Sequence, residues 1–382
     1  MYGHNGGVRV AITLEQCWHD VPGGTGVYGV EVARELATLP GLEVIGVAGR
    51  HRAPATAGFA PPVGVRPLPL SGPYLYESWL RLGWPRVEGA TGAVDVVHAT
   101  SIIPAATALP LVVTVHDLAF LHDPSHFTKR GVSVFRRSMD LVKRRASRIV
   151  CVSQATLDDC LAHGFDVERL RCVENGVRPV AVSDAEVRDV IARHRLPERY
   201  LLFVGTIEPR KNLARLIEAH AQLGDRIPDL VVVGASGWGE GVEIPTPSHR
   251  LQRSRVHVLG FVPGDELAAL YSGAVALCYP SIREGFGLPI LEAMAQGTPV
   301  VTSANGATEE VAGGAAVLVD PLDTASIADG MLRVIEQRDA LSSRARDRAS
   351  RLSWKRTAQL TREVYAEAVA DGPRVVRRGG RR

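Results

Sequence analysis

The sequence predicts an α/β protein made of two lobes, each built on a parallel sheet. Apolar runs of strand length alternate with helical patterns in both halves of the chain. Its 382 residues exceed one ordinary core, and two domains of roughly 180 residues each follow from that length. Several runs also end in glycine-bearing loops, at the strand ends where open α/β sheets bind ligands.

Taken in order, residues 8–14 (VRVAITL) form the first strand-like run. A loop with Pro22, Gly23, Gly24 and Gly26 follows, then a helical pattern over 27–39. A second run covers 42–48, and 51–73, rich in Pro, Gly and Ala, reads as irregular connection. Two short buried strands, 94–98 and 111–115, lead to His116-Asp117. A helix over 130–146, a strand over 149–152 and a helix N-capped by Ser153 come next. Asn175-Gly176 reads as a turn closing this half, and 180–199 as a crossing segment.

The second half opens with a clear strand, 200–204, followed by Gly205, the run Arg210-Lys211-Asn212 and a helix to about Leu223. Strands at 230–233 and 256–259 and a helix at 265–272 precede the stretch Tyr279–Val301. There an apolar run stops at Pro280, and a loop carries Glu284, Gly285 and Gly287. Pro289 then opens a short helix, and Gly297 ends it before the next strand. A strand at 317–319 and helices at about 324–337 and 354–370 finish the fold. The predicted organisation is a lobe over 1–180, a lobe over 181–352, a helix over 353–370 and a disordered basic tail over 371–382.

Composition narrows the class. A hydrophobic content of 46% with 22% charged residues is that of a soluble globular protein. Five cysteines lack metal or C-x-x-C spacing and read as small buried apolar residues in a reducing compartment. Neither a secretory leader nor a membrane-spanning run is visible, so a cytoplasmic location is expected. The net charge of +3 gives no argument for nucleic-acid binding.

Gly24-x-Gly26-x-x-Gly29 matches the dinucleotide fingerprint, but the acidic residue expected at the end of the second strand is missing. The alternatives are a ligand-free βα turn, or a loop whose amides approach a phosphate or sugar. His116 stands where α/β proteins place functional side chains, and equally where a core or capping histidine would. His122 and His126 have metalloprotease spacing, yet Pro124 forbids the helix that would align them. The chain has no Asp-x-Asp to hold a divalent ion under a diphosphate.

Arg210 and Lys211 at a helix start oppose the helix dipole, which favours a diphosphate between them over a solvated basic turn. Glu284 and Glu292 are open to three readings: an acid/base pair, surface carboxylates, or acceptors for sugar and ribose hydroxyls. Lys129, Arg130, Arg136, Arg137, Lys143, Arg144, Arg145 and Arg148 crowd one region. They form either a solvated face or a surface for anionic lipid.

FVGTIEPRKN, GFVP, EGFGLPILEAMAQGTPVV and EEVAGGAAVLVDP together resemble the family 4 retaining glycosyltransferases, the mannosyltransferase-like branch most of all. The resemblance spans about residues 8 to 340 and is densest in the second half. It implies the GT-B architecture, two Rossmann-like lobes facing an interdomain cleft, with 354–370 as the helix crossing back to the first lobe. It also implies a nucleoside-diphosphate sugar bound mainly by the second lobe, with no metal or other cofactor.

By position, Arg210 and Lys211 are expected to clamp the diphosphate, Glu292 to take the ribose hydroxyls and Glu284 the transferred sugar. The amides of Phe286, Gly287 and Leu288 surround that sugar, and Gly205 belongs to the same donor loop set. His116 is expected against the donor sugar, with Gly24 and Gly26 near phosphate and acceptor. The implied reaction moves mannose from GDP-mannose to a hydroxyl of a glycan or lipid-linked glycan, with retention. The leaving phosphate itself accepts the proton, and neither glutamate acts as base. A UDP- or dTDP-dependent glucosyl- or rhamnosyltransferase is the alternative, and an NAD-dependent dehydrogenase a more distant one. Peripheral contact with the inner face of the cell membrane goes with the basic region.

Overall fold

The computed structural model describes residues 7–235, 255–304 and 306–374. The chain forms two compact units, one from residues up to Pro124, Thr128–Asn175 and the C-terminal helix, the other from Gly176–Ser353 with Ser125–Phe127.

In the first unit, the strands are β1 (Val8–Thr13), β2 (Leu42–Gly49), β3 (Val65–Leu68), β4 (Val96–Ala99), β5 (Leu111–Val115), β6 (Arg148–Cys151) and β7 (Leu170–Cys172). They pair in parallel in the order β3-β2-β1-β4-β5-β6-β7. Its helices are α1 (Gly23–Leu36), α2 (Gly72–Leu82), α3 (Glu88–Thr91), α4 (Ala119–His122), α5 (Lys129–Arg145) and α6 (Gln154–Ala162). All five residues of β5 are buried, as expected for a parallel strand covered on both faces.

The second unit begins with α7 (Asp184–Arg193) and β8 (Tyr200–Val204). It continues through α8 (Leu213–Leu223), β9 (Asp229–Val233), β10 (Val256–Gly260), α9 (Gly264–Gly273) and β11 (Ala276–Tyr279). Then come α10 (Leu288–Ala295), β12 (Val300–Ser303), α11 (Gly306–Ala312), β13 (Val317–Val319), α12 (Thr324–Glu336) and α13 (Arg338–Ser350). The parallel order β10-β9-β8-β11-β12-β13 is that of a dinucleotide-binding sheet, and it reverses direction between β8 and β11. Leu201, Phe203, Leu213, Leu216, Leu230 and Val301 lie in the core behind that sheet.

Helix α14 (Trp354–Asp371) belongs to the first unit. It is anchored through a buried polar chain: Tyr365 Oη lies 2.7 Å from His98 Nδ1, and His98 Nε2 lies 2.8 Å from Thr114 Oγ1. Thr114 Oγ1 in turn meets Tyr28 Oη at 2.9 Å. Arg148 and Arg171 both pair with Glu367 on the same helix.

Several expectations are corrected. The glycines of the 22–26 loop lie within the first turn of α1, which starts at Gly23 rather than Val27. The 51–73 connection contains β3, disguised by Pro67, which a strand tolerates at a sheet edge because one of its sides needs no donor. The crossing segment contains α7, started by a full capping box between Ser183 and Glu186. Asn175-Gly176 makes no turn, and Val177 instead bridges to Ser353. The start of the basic tail is tied down, since the Gly372 carbonyl accepts from Ser147 Oγ at 3.0 Å. The rest of that tail, beyond Arg374, lies outside the described residues. All five cysteines are free, and four of them are buried.

Where β8 and β9 end, the backbones touch. A Cβ on Gly234 would stand 1.9 Å from the Gly205 carbonyl oxygen, so only glycine fits. The amide of Gly205 donates to Val233 O at 2.9 Å, which fixes the exit of β8 into the loop carrying Arg210 and Lys211.

Candidate functional site

The reversal of strand order brings two loops together, the one after β8 (205–212) and the one after β11 (280–287). They are stitched by backbone and side chain. Ile282 N donates to Arg210 O at 2.8 Å, and Asn212 Nδ2 donates to the carbonyls of Pro280 (2.9 Å) and Pro321 (2.6 Å). Asn212 adopts a left-handed conformation (φ 61°), which ends a 3₁₀ turn over Pro209–Lys211 and starts α8.

Within this frame Glu284 is the hub. Its Oε2 accepts from Arg210 at 2.8 Å, and its Oε1 accepts from Lys211 Nζ at 2.6 Å and from Tyr279 Oη at 2.9 Å. Ser281 Oγ lies 2.6 Å from the same Oε1. Arg210 also pairs with the buried Glu208 at 2.8 Å. Burial alone would raise the Glu284 carboxyl, but Arg210, Lys211 and Ser281 overcome it and hold its pKa down at about 2. The hub is therefore ionised at neutral pH.

This corrects the reasoning from the helix dipole. The two cations sit in a 3₁₀ turn ahead of α8, and two buried carboxylates compensate them within the protein. Gly205 lies beneath Lys211, where an added Cβ would sit 3.7 Å from its Cδ and Cε. Phe286, Gly287 and Leu288 form the turn into α10, with Gly287 at φ 106° and Phe286 buried. Glu292 is held separately, accepting from Tyr271 Oη at 2.9 Å, and burial pushes its carboxyl up.

The remaining predicted residues lie in the first unit. Gly24 is exposed on the opening turn of α1, while Gly26 is packed so that a Cβ would stand 2.5 Å from Pro22 Cβ. His116 follows β5, and its Nε2 donates to Thr100 O at 2.9 Å while its ring packs edge-on against Tyr28. Burial lowers its pKa and keeps the ring neutral. The carboxylate missing from the end of β2 is supplied by Glu15, which accepts from Gly49 N and Gly72 N at 2.6 Å each. It is spent on backbone amides. Tyr271, Ser281 and Glu208 escaped sequence reasoning, while Asn212 and Tyr279 stood in motifs read there without a role of their own. Tyr279 had a usable signal, a phenol as the last residue of a strand that enters the glycine loop.

Two family models cover most of the chain: "Glycosyltransferase Family 4" matches residues 22–180 and "Glycosyl transferases group 1" matches residues 186–351. A D-inositol 3-phosphate glycosyltransferase of Salinispora tropica is 33% identical, over 91% of this chain and 82% of its own length. The chain belongs to glycosyltransferase family 4. An O-antigen chain mannosyltransferase of Escherichia coli is another relative of this family 4 enzyme, 31% identical over 66% of this chain and 69% of its own. The Anabaena protein HepE, solved with UDP and glucose, shares the fold at a TM-score of 0.73 and 19% identity, covering 94% of this chain and 99% of that one. Both units are parallel-sheet α/β domains of the GT-B class. Among the described residues, no helix is long and apolar enough to cross a membrane.

Proposed function

We propose that this glycosyltransferase moves a hexose, mannose from GDP-mannose in the first instance, to an acceptor hydroxyl with retention at the anomeric carbon. The observation that carries the reading is the pairing of Arg210 and Lys211 on Glu284 at the strand-order reversal. A diphosphate can replace the carboxylate as partner of both cations, which frees Glu284 to accept from sugar hydroxyls. Glu292 then takes the ribose, and the turn 286–288 presents amides to the sugar and phosphate. Arg210 and Lys211 stabilise charge on the departing diphosphate, whose oxygen accepts the acceptor's proton. These cations supply the charge a divalent ion would otherwise bring, so transfer needs no metal.

Relatives named as mannosyltransferases support the sugar, and the HepE complex supports a nucleoside diphosphate. The inositol phosphate relatives align over more of the chain and favour a phosphorylated polyol acceptor, which belongs to a second reading whose donor is a UDP- or dTDP-linked sugar. A nucleotide-sugar screen in EDTA, read by thermal shift and donor hydrolysis, separates them. GDP-mannose should give the largest response. A UDP-sugar preference moves the assignment to the second reading, and silence from every nucleotide sugar overturns both.

The basic region is narrower than its sequence suggests. Arg137 pairs with Glu77, Lys143 donates to His163 O, and Arg148, on β6, pairs with Glu367. Lys129, Arg130, Arg136 and Arg144 remain exposed on α5, and we assign them to anionic lipid at the cytoplasmic membrane face, where a lipid-linked glycan acceptor would lie. The protein should co-sediment with anionic vesicles and lose that binding when these four become glutamine. Equal sedimentation with neutral vesicles removes the assignment.

A further inference from the structure

The spacing of His122 and His126 suggested a metal site that Pro124 rules out, yet the fold gives His122 other companions. Helix α4 ends at His122, and α6 carries Asp159 with His163 at its C-cap, one turn apart on the same face. Their ligand-capable atoms all lie within 4.8 Å of one another. His122 Nε2 stands 2.7 and 2.9 Å from the two oxygens of Asp159, and His163 Nδ1 lies 3.2 Å from Asp159 Oδ1. The imidazoles meet edge to face, 5.4 Å apart at 88°.

We propose that His122, Asp159 and His163 form a transition-metal site, with zinc as the natural occupant. Two imidazole nitrogens and a carboxylate are ligands suited to Zn²⁺, Co²⁺, Ni²⁺ or Cu²⁺ rather than to Mg²⁺ or Ca²⁺. Tetrahedral zinc at normal bond lengths needs ligand atoms about 3.3 Å apart. The His122–Asp159 contact needs to open by only a few tenths of an ångström to reach that spacing, and His163 Nδ1 already stands there, exchanging its hydrogen bond to the Asp159 main-chain oxygen (2.8 Å) for the ion. As the ion enters, the ring nitrogen facing it must offer its lone pair, so a proton carried there passes through solvent to the other nitrogen of the same ring. The side chains of His122 and His163 are 30% and 31% exposed and that of Asp159 is 15% exposed, so an ion can enter and water can complete the shell.

Among the described residues, the other His–carboxylate pairs differ, and Glu15 beside His51 is held by the amides of Gly49 and Gly72. Asp229 is shared between His257 and Arg255, and Glu266 between His194 and Arg193. In each of these two an arginine already compensates the carboxylate and repels a cation. Asp159 has two imidazoles instead.

The site's position gives the metal a purpose. His116 and Asp117 lie between β5 and α4, and the His116 carbonyl already accepts from Thr156 on α6 at 3.2 Å. A metal joining α4 to α6 would clip that connection at its far end and stiffen the segment that holds His116. Nothing in this proposal depends on the identity of the donor.

The test is titration of metal-stripped, untagged full-length protein with Zn²⁺ against a chromophoric chelator. One Zn²⁺ per chain should bind, with a thermal midpoint that rises with Zn²⁺ concentration. His122→Gln and His163→Gln should each weaken binding by about 10-fold or more and abolish the midpoint rise. Both should keep the metal-free circular dichroism spectrum, and His257→Gln should bind like the parent. Failure to saturate below about 100 µM Zn²⁺, or binding that both glutamine variants retain, overturns the site.

Discussion

Lys211→Ala should lower kcat by about 100- to 1,000-fold, equivalent to roughly 3–4 kcal/mol of lost transition-state stabilisation, with a smaller change in KM. The ammonium lies at the end of a buried stem over Gly205, 2.5 Å from Tyr279 Oη and 2.6 Å from Glu284 Oε1. Its removal leaves the loops joined, because Ile282 N still donates to Arg210 O and Asn212 still bonds to Pro280 and Pro321. Glu284 keeps Arg210, Tyr279 and Ser281 as partners. The variant should therefore fold, bind donor and turn it over slowly. Steady-state kinetics with the donor found by the nucleotide screen decide the matter, and turnover near that of the parent would remove Lys211 from the catalytic machinery.

His98→Leu should have the largest effect on stability, costing the first unit about 2–4 kcal/mol at neutral pH. His98 is wholly buried between Tyr365 on α14 and Thr114 on β5, and leucine would leave the Tyr365 hydroxyl without that partner. Burial lowers the His98 pKa to about 3. Between there and the usual histidine value near 6.5, the unfolded chain takes up a proton that the folded chain refuses. Stability is thus full above pH 6.5 and falls by up to about 1.4 kcal/mol per unit as the solution is acidified. His116, also lowered by burial, adds in the same direction. Glu284 adds its own loss at lower pH, from the usual glutamate value of 4.5 down through about 2. Leucine cannot titrate, so the difference between parent and variant should narrow from pH 7 to pH 5. Urea midpoints at the two pH values measure it, and a difference independent of pH would show that His98 takes up its proton equally in the folded and the unfolded chain.

The fold was legible where burial is continuous. Strands β5 and β8 are short runs of large apolar residues, broken only by Thr114, with all residues buried, and their bounds follow from the sequence alone. Strand β3 was hidden because its proline is acceptable only to a strand known to lie at an edge, and edges belong to the assembled sheet. Helix α13, RDALSSRARDRAS, carries too few apolar residues to show a helical stripe.

The site divides in the same way. Arg210, Lys211, Glu284 and Glu292 could be singled out by residue type beside glycines and prolines. That Glu284 binds both cations could not, since 73 residues separate Lys211 from Glu284 and only the reversal between β8 and β11 makes them neighbours. Tyr271 reads as an ordinary apolar position, because a hydroxyl at the end of a buried ring leaves no mark on hydrophobic periodicity. The His122, Asp159 and His163 cluster was invisible for the same reason of distance in the chain.

Under the proposed donor binding, the pairing of Glu284 with Arg210 and Lys211 would also act as an interlock. Inorganic phosphate, pyrophosphate or a spent nucleotide that draws Arg210 and Lys211 away leaves a buried carboxylate with only the hydroxyls of Tyr279 and Ser281 beside it. A sugar nucleotide carries the remedy within the same molecule, since the hexose hydroxyls can donate to the carboxylate its phosphates have displaced. A site built this way would favour a sugar nucleotide over phosphate-only anions.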